Sequence, residues 1–498
     1  MKRRDFLKTA STTAASFALS GCFESENMFS DKNLPRPNVL WVIVEDMSCH
    51  LGYQGEKLVQ TPNVDRLALE GAVFSNAYIT CPVCSPSRSA MVTGMYQTTV
   101  GAHNHRSSRG TKIYLEPQYK LVPQYFKEAG YYVINTDESM KKNGKTDYNF
   151  VFDYDQLYEK PDLSNRKEGQ PFFAQVHLHG GKFREGKGWK KKVQKHIEKP
   201  VTADKVTLPP YYPDHPVVRE DWAQYLNTVQ YTDVEVGHII DKLKDEGVID
   251  NTIIVFMTDH GISHARGKQF LYEEGVKIPF VIWGPKYIKP KVRKDFVSHI
   301  DMAATSMYFA GIKVPSYMES RPLFGPDFKP RDHVVSARDR CDETVDRIRS
   351  VRKGDFKYIR NFYPKRPYLQ PCTYKDNKEI LRTLRKLHKD GNLNDIQSLH
   401  FAQTRAAEEL YDLKKDKWEI DNLAANPNYK NTLVEMRSIL NQWIKETGDK
   451  GQYPEPEAAY DAEMQKYIDD VTTWQPADYI KKLKENILLM KKWKAKGK

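Results

Sequence analysis

Two continuous apolar runs of strand length, each stopped abruptly by charge, frame the first half of the chain. The first, "NVLWVIVEDMS" (38–48), ends at Glu45-Asp46, and the second, "NTIIVFMTDHG" (251–261), ends at Asp259-His260-Gly261. Uninterrupted β-branched and aromatic runs of this length mark strands buried on both faces. Between them "TPNVDRLALEGAVF" and "YLNTVQYTDVEVGHIIDKLKDEG" carry helical spacing, while "GYYVINT" and "PFFAQVHLH" read as further strands. Such alternation predicts an α/β sandwich on a large, mostly parallel sheet. Residues 180–220 are rich in lysine and proline without periodicity, the texture of an irregular binding loop. From about residue 332, "HVVSARDR", "IRSVRKGDFKYIRNF" and "AEELYDLKKDKWEIDNLA" show a strand-then-helix pattern, which predicts a smaller α+β subdomain over 332–446 that ends in an amphipathic helix. No internal repeat is present.

The amino terminus, "MKRRDFLKTASTTAASFALSGC", sets Arg3-Arg4 before a mildly apolar run that closes at Leu19-Ser20-Gly21-Cys22. The pattern predicts a twin-arginine export signal over 1–21, with Cys22 becoming a lipidated amino terminus. A plain signal peptide, with Cys22 an ordinary thiol, is the alternative. The expected location is the periplasm or cell envelope, with a linker over 22–36 and contact with membrane only through the lipid anchor. No later apolar run is long enough to span a bilayer.

A formal charge of +12 would suggest a polyanion partner, but its distribution weakens that idea. Lys2, Arg3, Arg4 and Lys8 against Asp5 place +3 in the signal, and eight lysines against Glu485 place +7 in 480–498. Residues 447–498 therefore read as a polar, basic tail. Nothing resembles a groove-reading or base-stacking module, so nucleic acid is not an expected partner. Six cysteines are too few for a disulfide scaffold at this length, although Cys341 and Cys372 could pair in an oxidising compartment.

Ligands of open α/β sheets gather beyond the carboxyl ends of the strands. The two charged strand ends would bring Glu45, Asp46, Asp259 and His260 to one rim. Carboxylates this close call for a divalent cation: oxygen ligands favour calcium or magnesium, and His260 leaves zinc or manganese open. Strand-end acids that cap neighbouring helices are the plainer reading. In "CPVCSPSRSAMVTG" (81–94), Ser85-Pro86 reads as a helix start, so Cys84 would sit just before a helix N-terminus that favours an anion, with Arg88 one turn on. A redox C-x-x-C pair lacks a thioredoxin-like setting, and half a zinc site lacks its second ligand pair. A special nucleophile at Cys84 is the third reading.

Cys84-Ser85-Pro86-Ser87-Arg88, followed by Met91-Val92-Thr93-Gly94, resembles the type I sulfatase signature, Cys-x-Pro-x-Arg and then Thr-Gly. The resemblance runs from about residue 37 to about 445, through "TPNVDRLALEGAVFSNAY", "KQFLYEEGVKIPFVIWGP", "SHIDMAAT" and "ELYDLKKDKWEIDNLA". It implies an alkaline-phosphatase-like sandwich with a catalytic domain over 37–331. It also implies oxidation of Cys84 to formylglycine by a formylglycine-generating or sulfatase-maturating enzyme, and a bound Ca2+ in preference to Mg2+. Carried over residue by residue, Glu45, Asp46, Asp259, His260 and the modified Cys84 would face the metal, with Glu45 standing where aspartate is usual. Arg88, Lys145 and Lys268 would hold the sulfate. Asp147 stands where the family often has histidine. The proton donor falls to Lys182 or His179, with His177 nearby. His103, His105 and Arg106, just beyond the signature helix, would face the substrate or serve the structure. The aromatic-rich "NFYPKRPYLQPCTY" (361–374), with Arg366, would form a sugar-stacking rim or pack loops.

The expected protein is thus an exported sulfatase acting on a sulfated polysaccharide or its oligosaccharides. It is similar to bacterial ulvan-active sulfatases and more distantly to heparan N-sulfatase. A phosphodiesterase or phosphatase of the same superfold would usually carry Thr or Ser at position 84 and more zinc-type histidines. A non-catalytic sulfated-glycan-binding protein would keep the pocket but never modify Cys84.

Overall fold

The computed structural model describes residues 36–498 apart from 108, 187 and 327. The export signal, Cys22 and all but the last residue of the linker lie outside the described residues. Seven strands form one sheet: β1 (Asn38–Val44), β2 (Ala72–Tyr78), β3 (Tyr132–Asp137), β4 (Phe172–Leu178), β5 (Thr252–Thr258), β6 (Phe280–Trp283) and β7 (Lys291–Ser298). Their order is β3-β4-β1-β5-β6-β2-β7. The two runs read as buried strands are the central neighbours β1 and β5, parallel and in register from Asn38 opposite Thr252 to Val44 opposite Thr258. Every residue of both is buried. The sheet is mostly parallel; β6 alone runs against its neighbours β5 and β2. An antiparallel neighbour needs no crossover helix, so the connection 259–279 is free to fold over the strand ends.

Helices α1 (Pro62–Glu70), α2 (Cys84–Thr93), α3 (Pro216–Asp245) and α4 (Asp301–Phe309) flank the sheet. Asp233 on α3 accepts hydrogen bonds from the main-chain N–H groups of Asn63 and Val64, which ties the first turn of α1 to α3. The segment 180–220 is more ordered than its composition suggests. It holds a 3-10 turn, Gly180–Glu185, and a helix, Trp189–His196, whose lysines crowd around the single buried anchor Val193. Phe183 stacks on Tyr231 of α3 at 4.5 Å.

The second sheet, of strands β8 (His333–Arg338), β9 (Ile348–Lys353), β10 (Phe356–Asn361) and β11 (Glu408–Asp412), is antiparallel in the order β11-β10-β9-β8. Helix α5 (Lys430–Thr447) lays Leu433, Met436, Leu440 and Trp443 against Val335, Val351, Tyr358 and Leu410 of that sheet. This is the expected α+β subdomain.

The expected basic tail is instead a helical pair, α6 (Glu457–Thr472) and α7 (Ala477–Ala495). Tyr460, Met464, Tyr467 and Val471 of α6 pack with Tyr479, Leu483, Ile487 and Met490 of α7. Full burial of a large apolar side chain contributes about 1.5–3 kcal/mol, so these contacts outweigh repulsion among solvated lysines on the outer face. Asn486 donates to Glu343 Oε1 at 3.0 Å and the Tyr460 hydroxyl to Glu343 O at 2.9 Å, which fastens the pair to the subdomain. Cys341 and Cys372, expected to be able to pair, are both free thiols. The side chain of Gln269 lies between them, its Nε2 donating to Cys341 Sγ at 3.0 Å and Cys372 Sγ at 3.5 Å. Among the described residues no helix is long and apolar enough to cross a membrane.

Candidate active site

The ends of β1, β4 and β5 are laced together largely through the main chain. Glu45 N donates to Leu178 O at 3.0 Å, Asp259 N to Val44 O at 2.9 Å, and Asp46 N to the Asp259 carboxylate at 3.2 Å. Asp46 has φ of 51°, a left-handed conformation that aspartate tolerates better than bulkier residues. The two consecutive carboxylates consequently serve different partners. Asp46 meets His260 Nε2 and Lys268 Nζ, both at 3.2 Å. Glu45, expected beside the cation, turns its oxygens onto Lys145 at 3.0 Å, Arg88 at 3.3 Å and Lys182 at 3.4 Å.

Cys84 is the first residue of α2, not the residue before it; the extended Val83 takes the cap position and Pro86 falls third. Every residue of α2 is buried, so its polar side chains must find partners inside the protein. Ser87 donates to Asp259 O at 2.6 Å, while Ser89 and Thr93 donate to carbonyls of their own helix. Arg88, 1% exposed, donates to Asp259 Oδ2 at 3.0 Å and to His177 Nδ1 at 2.6 Å. Because guanidinium only donates, Nδ1 of His177 is the acceptor, and Nε2–H donates to Asn135 Oδ1 at 2.6 Å. Burial, and after it Arg88, keeps His177 well below the usual imidazole range, so the ring is neutral.

The Cys84 sulfur lies 3.1 Å from His260 Nε2 and 3.1 Å from Lys268 Nζ. Burial works to raise this thiol, but Lys145, Lys268 and His260 draw it down to about 7. Burial pushes Cys372 the other way, to about 12. Burial also opposes ionisation of Glu45 and Asp46. Lys145, Lys182 and Arg88 hold Glu45 well below the carboxylate range, and Lys268 and His260 do the same for Asp46. This is an electropositive pocket built around one poised atom at residue 84.

Asp46, Cys84 and His260 present ligand atoms within 4.8 Å of one another, all buried. Asp259 adds a carboxylate oxygen 3.6 Å from His260 Nε2. His260 Nδ1 pairs with Gly261 O at 2.9 Å, which leaves Nε2 facing Asp46 and residue 84, where a cation would take the place of its proton, the usual posture of a ligating histidine. Two carboxylates and one imidazole suit a divalent cation.

The remaining candidates separate. Lys182 reaches the centre through Glu45, whereas His179 is exposed just past the end of β4. Asp147 binds Arg106 Nε at 3.1 Å and Lys145 Nζ at 3.5 Å, so it couples Arg106 to the lysine beside residue 84. His105 is buried against Asp342 at 3.0 Å, and His103 lines a cavity that none of these residues borders. Sequence reasoning named His177 only as a neighbour of the proton-donor candidates and gave it no role on Arg88. Its neighbour His179 has the same strand parity, but the strand stops at Leu178.

Two glycines fix the 180s turn against the acids. A Cβ on Gly180, which has φ of 49°, would stand 2.3 Å from Glu45 O, and one on Gly181 would stand 2.2 Å from Asp46 O. Gly181→Ala is therefore expected to cost roughly 1–3 kcal/mol of stability and to displace Lys182 from Glu45. Thermal unfolding and initial rates read together should both fall, and an unchanged rate would refute the link.

The profile of the Sulfatase family matches residues 37–312, and that of the N-sulphoglucosamine sulphohydrolase C-terminal region matches 260–398. The chain is similar to an ulvan-active sulfatase of Formosa agariphila, 34% identical over 85% of this chain and 77% of that protein. It is also similar to human N-sulphoglucosamine sulphohydrolase, 24% identical over 83% of this chain and 90% of that one. Two solved structures share the fold. One is a complex with the substrate D-glucosamine-2-N,6-O-disulfate (TM-score 0.57, 19% identity, covering 83% of this chain and 98% of that one), and the other a 2-O GAG sulfatase (0.59, 20%, 85% and 96%). With the family profile over more than half of its length and the signature cysteine at the heart of the buried site, the chain belongs to the sulfatase family and is a sulfuric ester hydrolase.

Proposed function

We propose that the protein is an exported sulfatase that removes sulfate esters from a sulfated polysaccharide or its oligosaccharides, ulvan foremost, with Cys84 oxidised to formylglycine and a calcium ion held beside it. The observation that carries this reading is the Cys84 sulfur, buried at the start of α2 and 3.1 Å from both His260 Nε2 and Lys268 Nζ. The ulvan assignment rests on the named activity of the Formosa relatives. Export and lipid anchoring rest on Arg3-Arg4 and the box ending at Cys22. Formylglycine as its hydrate supplies an oxygen nucleophile, and a divalent cation on Asp46, Asp259 and His260 supplies the charge that ionises it.

The chain's own residues do the rest. Lys268 and Lys145 flank residue 84 and pair with sulfate oxygens as negative charge gathers on them. Arg88 neutralises Glu45 and Asp259 from below and is kept in place by neutral His177. Lys182, part-exposed and touching Glu45, gives a proton to the departing sugar oxygen, with exposed His179 the second choice.

The test is the mass of the peptide carrying residue 84, from protein made in a host able to mature sulfatases, followed by sulfate release from ulvan and glycosaminoglycan oligosaccharides. The expected outcome is an aldehyde at position 84 and release from ulvan fragments. A fully unmodified thiol would overturn the formylglycine chemistry, and release from glycosaminoglycans alone would overturn the choice of polymer.

A further inference from the structure

A cavity of about 370 Å3 lies between the β8–β11 subdomain and the α6–α7 helical pair, and none of the residues around Cys84 lines it. Its volume is in the range of sites that enclose small ligands. Arg347, Arg366, Phe362, Tyr363, Tyr453 and His103 contribute to its wall.

The charges around it are unevenly matched. Arg340 is clamped by Glu455, Arg349 by Asp339 and Asp449, and Arg338 and Arg405 by Asp346. Arg347 and Arg366, by contrast, have no side-chain carboxylate partner among the described residues. Arg347 lies 3.9 Å above the Phe362 ring and gives one hydrogen bond to Gln452 O, while its buried Nε has no partner. Arg366, 2% exposed, lies 4.3 Å from the Tyr363 ring and donates only to the main-chain oxygens of Val345 and Lys498. Guanidinium groups taken out of water and stacked on aromatic rings normally meet an anion. A third feature is Tyr453, 68% exposed at the same cavity, an aromatic face of the kind that receives the apolar side of a sugar ring. His103 Nδ1 is also buried without a partner.

The cavity communicates with the catalytic centre through one loop. His103 and Asn104 line it, and three residues after His103, Arg106 donates its main-chain N–H to Ser85 Oγ and its Nε to Asp147.

We propose that this cavity is a second, non-catalytic binding site for an anionic sugar unit of the polymer, its carboxylate or sulfate set against Arg347 and Arg366 and its ring laid on Tyr453. The choice of a sugar rests on the glycan reading above. The site holds one unit of a chain while another is presented to residue 84.

Kinetics of the wild-type, Arg347→Ala and Tyr453→Ala enzymes on an ulvan polysaccharide and on a small aryl sulfate test this. Tyr453 is exposed, so its replacement leaves the fold intact even if loss of Arg347 does not. The expected result is a rise in KM for the polymer of about tenfold for Arg347→Ala and about threefold for Tyr453→Ala, with kcat and aryl sulfate turnover unchanged. An unchanged polymer KM in both variants overturns the site and leaves the reading of residue 84 standing. Should the wild type hydrolyse the aryl sulfate but no polymer, the glycan reading itself has failed; calorimetry with ulvan oligosaccharides then decides, binding lost in both variants upholding the site and equal binding in all three proteins overturning it. Repeating the titration with desulfated oligosaccharides assigns the anion: variant-sensitive binding that survives identifies the carboxylate, and binding lost on desulfation identifies the sulfate.

Discussion

Cys84→Ala is expected to lower kcat/KM for sulfate esters by at least about 10,000-fold, equivalent to roughly 5 kcal/mol of transition-state stabilisation. The cationic surroundings of residue 84 would survive the change, since Asp46 continues to pair with His260 and Lys268. Stability should therefore move little, which separates a chemical loss from an unfolded protein. Cys84→Ser is the sharper form of the test. It keeps the size and polarity of the side chain but removes the thiol, and a serine that peptide mass shows to be unoxidised forms a sulfate ester with no second hydroxyl with which to expel the group. Initial rates on an aryl sulfate, with thermal unfolding as the control, check both variants. A serine enzyme whose peptide mass shows no aldehyde and that kept more than about a hundredth of the wild-type rate would remove the need for an aldehyde.

Arg88→Ala should be the most damaging single change to stability in the site, by about 3–5 kcal/mol. The guanidinium is all but inaccessible, and its loss takes from buried Asp259 its partner at 3.0 Å and from Glu45 one of its three cationic partners. Arg88→Lys restores the charge but not the fork that reaches Asp259, Glu45 and His177 together, so it should recover only part of the loss. The effect carries a pH signature. Burial disfavours the Glu45 carboxylate, and Lys145, Lys182 and Arg88 together hold its pKa well below that of the unfolded chain. A depressed carboxyl contributes stability above its unfolded value, near about 4.3, and loses it as pH falls toward the folded value. The gap between wild type and Arg88→Ala in urea denaturation should accordingly be full at pH 7 and narrow below about pH 4. A constant gap would show that the destabilisation is one of packing, not charge.

The site was legible in the sequence where chemistry interrupts a strong pattern. Glu45-Asp46 and Asp259-His260 stand out because they put charge at the end of runs that carry none, and parallel pairing of β1 with β5 brings those ends together. Position 84 was legible from its spacing to Pro86 and Arg88, but the start of α2 was displaced by one residue because proline is tolerated throughout the first helical turn. The two carboxylates of β1 could not be told apart by sequence, since their separation depends on the left-handed backbone of Asp46. The carboxy-terminal helices were hidden by composition. Tyr479, Leu483, Ile487 and Met490 keep helical spacing, yet eight lysines among the same residues dominate any average taken over the segment. The spacing of Cys341 and Cys372 likewise gave no sign that a glutamine from the loop after Lys268 would stand between them.

The burial of Cys84 also sets a timetable. The thiol is 2% exposed in the folded chain, beside strand ends that cannot come together until β5 has joined β1. His260, at the end of β5, is made 176 residues after Cys84. At about 5–20 residues per second of synthesis, residue 84 stays outside any finished core for roughly 10–35 s. On the formylglycine chemistry proposed above, an enzyme that oxidises it would work within that interval or hold the chain open, so faster translation or a chaperone shortage should change the fraction of active molecules without altering a single contact in the finished protein.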